Sequence, residues 1–122
     1  MPDSIADLLR RNLHEVFGEG DPVRRRAAIA ELYTENAVFQ APDGVYSGRD
    51  AIDRVAGDVR ATHPDYRYAE IAEPATLNGA AGRISWVSGP PGQAPVYAGT
   101  DFVVVEDGRI ASLFLFFDPL PK

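Results

Sequence analysis

Two runs near the C-terminal end constrain this chain more than anything else in it. Tyr97 to Val105 and Arg109 to Phe117 are long, rich in Val, Phe and Ile, and separated only by Glu106-Asp107-Gly108. Such a pair reads as a β-hairpin. Alternation places Asp101, Val103 and Val105 on one face and Phe102 and Val104 on the other. A two-residue Asp107-Gly108 loop sets Asp101 opposite Phe114. A three-residue loop with a left-handed Gly108 sets it opposite Leu113, and the position of the glycine favours that choice. Leu113, Leu115 and Phe117 then share the face of Asp101, while Phe114 and Phe116 join Phe102. Both faces are apolar, so both need covering. Helices can cover one, and a second subunit is the expected cover for the other.

The helices lie upstream. Ile5, Leu8, Leu9, Leu13, Val16 and Phe17 recur at helical spacing, with Asp3 or Ser4 as cap and Gly18 and Gly20 as stop. Asp21-Pro22 starts a second helix that ends near Tyr33. Its Arg24-Arg25-Arg26 run, flanked by acids, reads as a solvated face. A short strand, Ala37 to Ala41, follows, then a Pro42-Asp43-Gly44 turn. Val45 to Gly48 leads into a third helix from Arg49 to about Ala61, closed by Pro64. Tyr66 to Ile71 and Ala81 to Ser88 read as strands, the latter with Ile84 and Trp86 on one face. Helices first and strands afterwards is an α+β order.

Composition narrows the function. With 122 residues the chain has the size of a single domain, residues 1–122. Hydrophobic residues at 45% and charged residues at 25% place it among globular proteins. The absence of cysteine removes disulfides, thiolate nucleophiles and Cys-ligated metals. The net charge of −6 argues against nucleic acid or an anionic membrane as partner. The two histidines are far apart and without ligand spacing, so no metal and no cofactor is expected. No phosphate-binding glycine motif occurs. The MPDSIADLLRRNL start lacks the features of a signal peptide, and no apolar run approaches a membrane span, so the expected location is cytoplasmic.

Three stretches together resemble a known superfamily. Leu32-Tyr33-Thr34-Glu35-Asn36-Ala37-Val38-Phe39 is similar to the helix-to-strand junction of nuclear-transport-factor-2-like proteins. Tyr46-Ser47-Gly48-Arg49-Asp50-Ala51-Ile52 resembles their entry to the third helix, and Gly99-Thr100-Asp101-Phe102 with Asp107-Gly108-Arg109-Ile110 their final hairpin. The similarity spans nearly the whole chain and is nearest to the SnoaL-like polyketide cyclase branch. It implies three N-terminal helices packed on a strongly curved mixed or antiparallel sheet. The shape implied is a cone, a cystatin-like α+β roll or barrel with a deep apolar pocket, and commonly a homodimer through the outer sheet face. The superfamily hosts cyclases, steroid isomerases, epoxide hydrolases, dehydratases and non-enzymatic binding proteins, so the fold leaves the reaction open.

Asp101 is the first candidate for chemistry. It is a carboxylate inside an apolar strand, where burial raises the pKa and fits the group for general acid or base work. The resemblance adds that cyclases and ketosteroid isomerases carry a functional carboxylic acid at the matching position. It also exposes departures. Ala41 stands where the steroid isomerases have their base, and Leu13 where they have a helix phenol, so classical steroid isomerase chemistry is not implied. Arg83, the counterpart of an epoxide hydrolase arginine, has the opposite parity to Ile84 and Trp86. Trp86, Tyr33, Phe39, Phe117, Leu113 and Leu13 are expected to line the pocket, with Tyr46 and Tyr97 at its mouth. Tyr33 matches a pocket-lining tyrosine of the steroid isomerases. His63 reads as a cation closing the third helix, His14 as solvent-facing, and Asp118 as a terminal cap or rim residue. The expected protein binds an apolar, carbonyl-bearing small molecule without a cofactor. It acts as a cyclase, isomerase, dehydratase or hydrolase through Asp101, or else as a non-catalytic binding or dimeric scaffold protein.

Overall fold

The computed structural model describes residues 3–121. Helix α1 spans Ile5–Arg11. Ser4 and Asp7 form a reciprocal capping box at its start, the Ser4 hydroxyl accepting from the Asp7 amide at 3.1 Å. The helix then widens into a π-helical segment, Asn12–Phe17, closed by the Gly18 amide donating to the Leu13 carbonyl at 2.9 Å. Apolar spacing alone does not reveal this widening. Helix α2 spans Pro22–Leu32, with Asp21 accepting from the Val23 amide at 2.9 Å and Pro22 in the first helical position. Helix α3 spans Arg49–Thr62.

The strands are β1 (Tyr33–Ala41), β2 (Gly44–Ser47), β3 (Arg67–Glu70), β4 (Ala75–Leu77), β5 (Ala81–Gly89), β6 (Tyr97–Glu106) and β7 (Arg109–Phe117). They form one sheet in the order β2-β1-β7-β6-β5-β3, with β4 also paired to β5. The β1–β7 pair is parallel and the others are antiparallel. Three helices on a mixed sheet make this an α+β protein, as the sequence leads one to expect. The sheet does not close into a barrel. β1 begins directly at the end of α2, four residues earlier than its apolar core suggests. Val45 to Ser47 is a strand rather than a lead-in, and Ala75–Leu77 is a strand too exposed to carry a sequence signal. No helix among the described residues is long and apolar enough to cross a membrane.

The final hairpin takes the two-residue loop, not the favoured three-residue one, but its register differs from both readings. Asp107 and Gly108 have φ of 52° and 76°, and Glu106 pairs with Arg109, so the turn is the two-residue type with both central residues left-handed. Val105 pairs with Ile110 but Val104 with Ser112, which leaves Ala111 as the extra residue of a β-bulge. The bulge moves Asp101 opposite Leu115, neither Leu113 nor Phe114. The face assignment survives, because a two-residue turn plus one bulged residue restores the parity of a three-residue loop. Ile110 also turns inward and is buried.

The core lies between the helices and the concave face. Leu8, Leu9, Leu13 and Val16 meet Ile29, Leu32, Ile52, Ile84, Val103 and Ile110 there. Arg25 departs from the solvated run expected of it and is buried between α2 and α3. Its Nε donates to Asp53 at 2.8 Å and its Nη1 to the Glu19 carbonyl at 3.1 Å, while Arg26 donates to the other Asp53 oxygen at 3.0 Å. Gly57 makes room, since a Cβ there would stand 2.8 Å from Arg25 Nη2. Burial pushes the Asp53 carboxyl upward, but hydrogen bonds from Arg25 and Arg26 outweigh this and hold its pKa below the usual range. Asp53→Ala leaves Arg25 buried without its counter-charge and should cost about 3 kcal/mol in urea unfolding at neutral pH. The gap to wild type should shrink below about pH 4, where the wild-type carboxylate protonates as well. An unchanged midpoint at neutral pH would remove this pair from the stability of the fold.

Candidate functional site

A cavity of about 350 Å³ lies between the concave face of the sheet and the helices. The π-helical segment supplies Leu13 and Phe17 to its wall, β1 supplies Phe39 and Ala41, and α3 supplies Val55 and Val59. The sheet supplies Trp86, Asp101, Leu113 and Leu115. Phe39 is held between Phe17, edge-on at 5.4 Å, and Tyr46, stacked at 5.8 Å. Partly buried His63 and Tyr66 and exposed Tyr97 and Phe117 also line the cavity. The His63 and Tyr66 rings are nearly parallel, with centroids 4.0 Å apart.

Asp101 is buried on β6 and aimed inward by the register just described. On the neighbouring strand Ile84 pairs with Asp101 and Trp86 with Gly99, so Trp86 is the diagonal neighbour on the same face. Its Nε1 donates to Asp101 Oδ1 at 3.1 Å. The indole can reach that position only because residue 99 is glycine, where a Cβ would stand 2.5 Å from the indole Cζ2. Gly99 is therefore part of the site. Its signal in the sequence is a glycine two residues before the acid, on the same face of the strand. Burial pushes the Asp101 carboxyl up to about 7, against the opposing effect of the Trp86 hydrogen bond. Tyr68 on β3 meets the Trp86 ring edge-on at 5.1 Å and lines the same cavity. Its hydroxyl pKa is pushed up to about 12, first by burial and then by the Asp101 charge, with Arg60 acting in the opposite direction.

The structure brings Asp101, Trp86, Phe39, Phe117, Leu113 and Leu13 to the wall of one cavity. Tyr33, expected beside them, is not on that wall. It is wholly buried behind it, and its hydroxyl donates to the Asn12 side-chain carbonyl. Burial raises the Tyr33 phenol well above its usual pKa, and the charge of Asp101 adds to the effect. Asn12 is buried as well, and its Nδ2 has no hydrogen-bond partner among the described residues. A polar residue among Arg10, Arg11, His14 and Glu15 gives no hint of such a pairing. Tyr46 also lies off the cavity, its hydroxyl donating to the Asp43 carboxylate at 3.2 Å. Asp118 accepts from the Thr100 hydroxyl, which tethers it to the chain end of the sheet rather than to the cavity. Arg83 is exposed. His63 does more than close α3, since its ring lines the cavity, and Arg60 and Tyr68 are wall residues that helical and strand patterning did not single out. Ala41 is on the wall and cannot accept a proton, while Asp43, two residues on, is an exposed carboxylate of the same wall. Among the described residues no group of three or more His, Asp or Glu side chains is placed to hold a metal ion.

A model of the SnoaL-like domain matches residues 10–113. Among solved structures, a candidate isomerase of the SnoaL-like family from Agrobacterium tumefaciens superimposes with a TM-score of 0.84 at 26% identity, over 92% of this chain and 95% of that one. A candidate polyketide cyclase from Sinorhizobium meliloti follows with a TM-score of 0.68 at 22% identity, over 90% and 94%. A protein of unknown function with a cystatin-like fold from Methylobium petroleophilum gives 0.71 at 18% identity, over 100% and 82%. No curated protein gives a significant match.

The raised Asp101 pKa carries a consequence for stability. Between the ordinary carboxylate value of about 4 and about 7, the unfolded chain is ionised here and the folded chain holds the proton. Asp101 therefore makes stability fall as pH rises through that window, and its full penalty stands above it. Asp101→Asn removes the titration and keeps an acceptor for Trp86. The variant should unfold at higher urea than wild type at about pH 8 and draw level near pH 4. A constant difference across that range would show that Asp101 is not held in its neutral form by burial.

Proposed function

This chain belongs to the SnoaL-like family, and on that premise we propose that it binds an apolar, carbonyl-bearing small molecule in the central cavity and transfers a proton through Asp101. The observation that carries the reading is the buried Asp101 carboxyl on the cavity wall, pushed up to about 7 and held by Trp86 at 3.1 Å. A group with that pKa is present in both protonation states at neutral pH, which suits it to take a proton and return it. In the ionised form it accepts a proton from a carbon next to the substrate carbonyl. The C–H bond breaks, its electron pair moves toward the carbonyl oxygen, and the protonated Asp101 delivers the proton to another atom. The Tyr68 hydroxyl, whose high pKa keeps it protonated, is a donor on the same wall for the developing oxygen charge. The apolar wall excludes water and strengthens each of these interactions. Isomerisation, cyclisation and dehydration all contain this step.

The reading also includes a homodimer through the outer sheet face. Phe102, Val104 and Phe116 are exposed there, Phe116 at 56%, with the Phe102 and Phe116 rings edge-on at 5.5 Å. A contiguous apolar patch of this kind on a sheet is costly to leave in water. Sedimentation at micromolar concentration should give a dimer, and Phe116→Glu should shift it to monomer. A wild-type monomer would remove the dimer from the reading.

The chemical step can be followed without knowing the natural substrate. In D2O the protein should speed exchange of the acidic C1 protons of 2-tetralone, read by NMR, with the rate rising through about pH 7. Asp101→Asn should lower that rate by about a hundred-fold or more. Binding of the ketone with exchange no faster than in buffer, or equal in the variant, would favour the non-catalytic binding protein instead.

A further inference from the structure

Arg60 is the only arginine among the described residues on the cavity wall, and its charge is not answered there. Arg10, Arg11, Arg24, Arg25 and Arg26 each pair with a carboxylate, at 3.1, 2.7, 2.9, 2.8 and 3.0 Å respectively. Arg60 makes no ion pair among the described residues. Its Nη1 donates to the Tyr66 carbonyl, which fixes the head group against the turn after α3. Its Nε is buried and has no acceptor. Arg60 is only partly buried, but an unused buried N–H on it is costly, and a planar oxyanion presenting two acceptors is the group a guanidinium pairs with.

The surroundings select the rest of the ligand. Beside Arg60 the His63 and Tyr66 rings are stacked, offering a flat aromatic surface on the same wall. The remaining wall is mostly aliphatic and aromatic, with the Thr62 and Ser88 hydroxyls on it. Three other polar groups on it bear on the charge. Asp101 is buried with its oxygen on Trp86, His63 offers an imidazole, and Asp43 is exposed and accepts from Tyr46. The Tyr68 hydroxyl feels Asp101 and Arg60 with opposite sign, so the two charges share one cavity. The far flank of Arg60 borders a separate surface groove with Asp58, but no ion pair joins them.

We propose that Arg60 is the anion-binding residue of this cavity, and that the ligand is an apolar ring compound carrying a carboxylate. This rests on the reading that the cavity holds the ligand, and it adds polarity to it. The carboxylate lies on Arg60, the ring beside His63 and Tyr66, and the carbon next to the reacting carbonyl toward Asp101. Without Arg60, the chain's net charge of −6 would disfavour any acid in the cavity.

Trp86 is the only tryptophan and lines the cavity, so its fluorescence reports binding directly. The probes are 2-naphthoate and 2-naphthamide, which share a ring and differ in charge. Wild-type protein should bind the naphthoate about ten-fold tighter than the amide or better. Arg60→Gln should abolish that preference by weakening the naphthoate far more than the amide, and Arg60→Lys should keep part of it. Equal affinity of wild type for the two probes would overturn the anion site and leave the Asp101 reading standing. Equal loss for both probes in Arg60→Gln would assign Arg60 to structure alone and overturn it as well. Failure of both probes to quench Trp86 would overturn the anion site together with the ligand cavity. The tetralone exchange remains a separate measure of Asp101.

Discussion

The concave face depends on one register, that of β6 against its two neighbours. Side chains on a strand alternate, so a slip by one residue would turn Asp101 to the outer face and bring Phe102 inward. Two devices hold the register. On one side, the left-handed Asp107-Gly108 turn with the bulge at Ala111 sets Asp101 opposite Leu115. On the other, unbroken pairing with β5 from Ala81 to Ser88 sets Trp86 opposite Gly99. The core and the site share this register, because Val103, two residues from Asp101 on the same face, is wholly buried. Changes that loosen the hairpin therefore act on the site and the core together.

Within that frame two opposing influences act on one carboxyl group. Desolvation favours the neutral acid, while the Trp86 N–H favours the anion. The first is larger and the second limits it, and the balance leaves the group near neutrality. Gly99 enters through the same bond, because the indole occupies the space in which any side chain at residue 99 would sit. The balance is held by packing as much as by electrostatics.

Much of this was legible in the sequence, and what was not has definite causes. The α+β order and the inward face of Asp101, Leu113 and Leu115 follow from periodicity. The exact partner of Asp101 does not, because a bulge is a local compromise that alternation cannot encode. Asn12 and Arg25 were missed for a common reason. Each is polar in a helix whose surroundings suggest exposure, and each is buried by a partner distant in sequence, Tyr33 for one and Asp53 for the other. Tyr33 was expected on the cavity wall because it resembles a pocket residue. The π-helical segment instead brings Asn12 to its hydroxyl and holds the ring behind the wall. Arg60 and His63 lie on the last turn of α3 and just after it, where a cation has an ordinary explanation in the helix dipole. Only the three-dimensional wall shows that both also face the cavity.

The single buried carboxylate is itself informative about mechanism. Asp43, the other carboxylate on the wall among the described residues, is exposed and accepts from Tyr46, so the proposed mechanism gives both halves of the proton transfer to Asp101. A one-base mechanism of this kind works only if the acid is neither strong nor weak at working pH, since a group far from neutrality would perform one half of the transfer and stall at the other. Desolvation by an apolar wall is the available means of moving a lone carboxyl that far. The cost falls on stability above neutral pH, where the chain must carry a buried charge with one hydrogen bond to it among the described residues. The apolar wall that shapes the cavity is thus also what raises the Asp101 pKa. In the proposed mechanism, aliphatic positions such as Leu113 and Leu115 take part through the dielectric they impose, without contributing a polar atom.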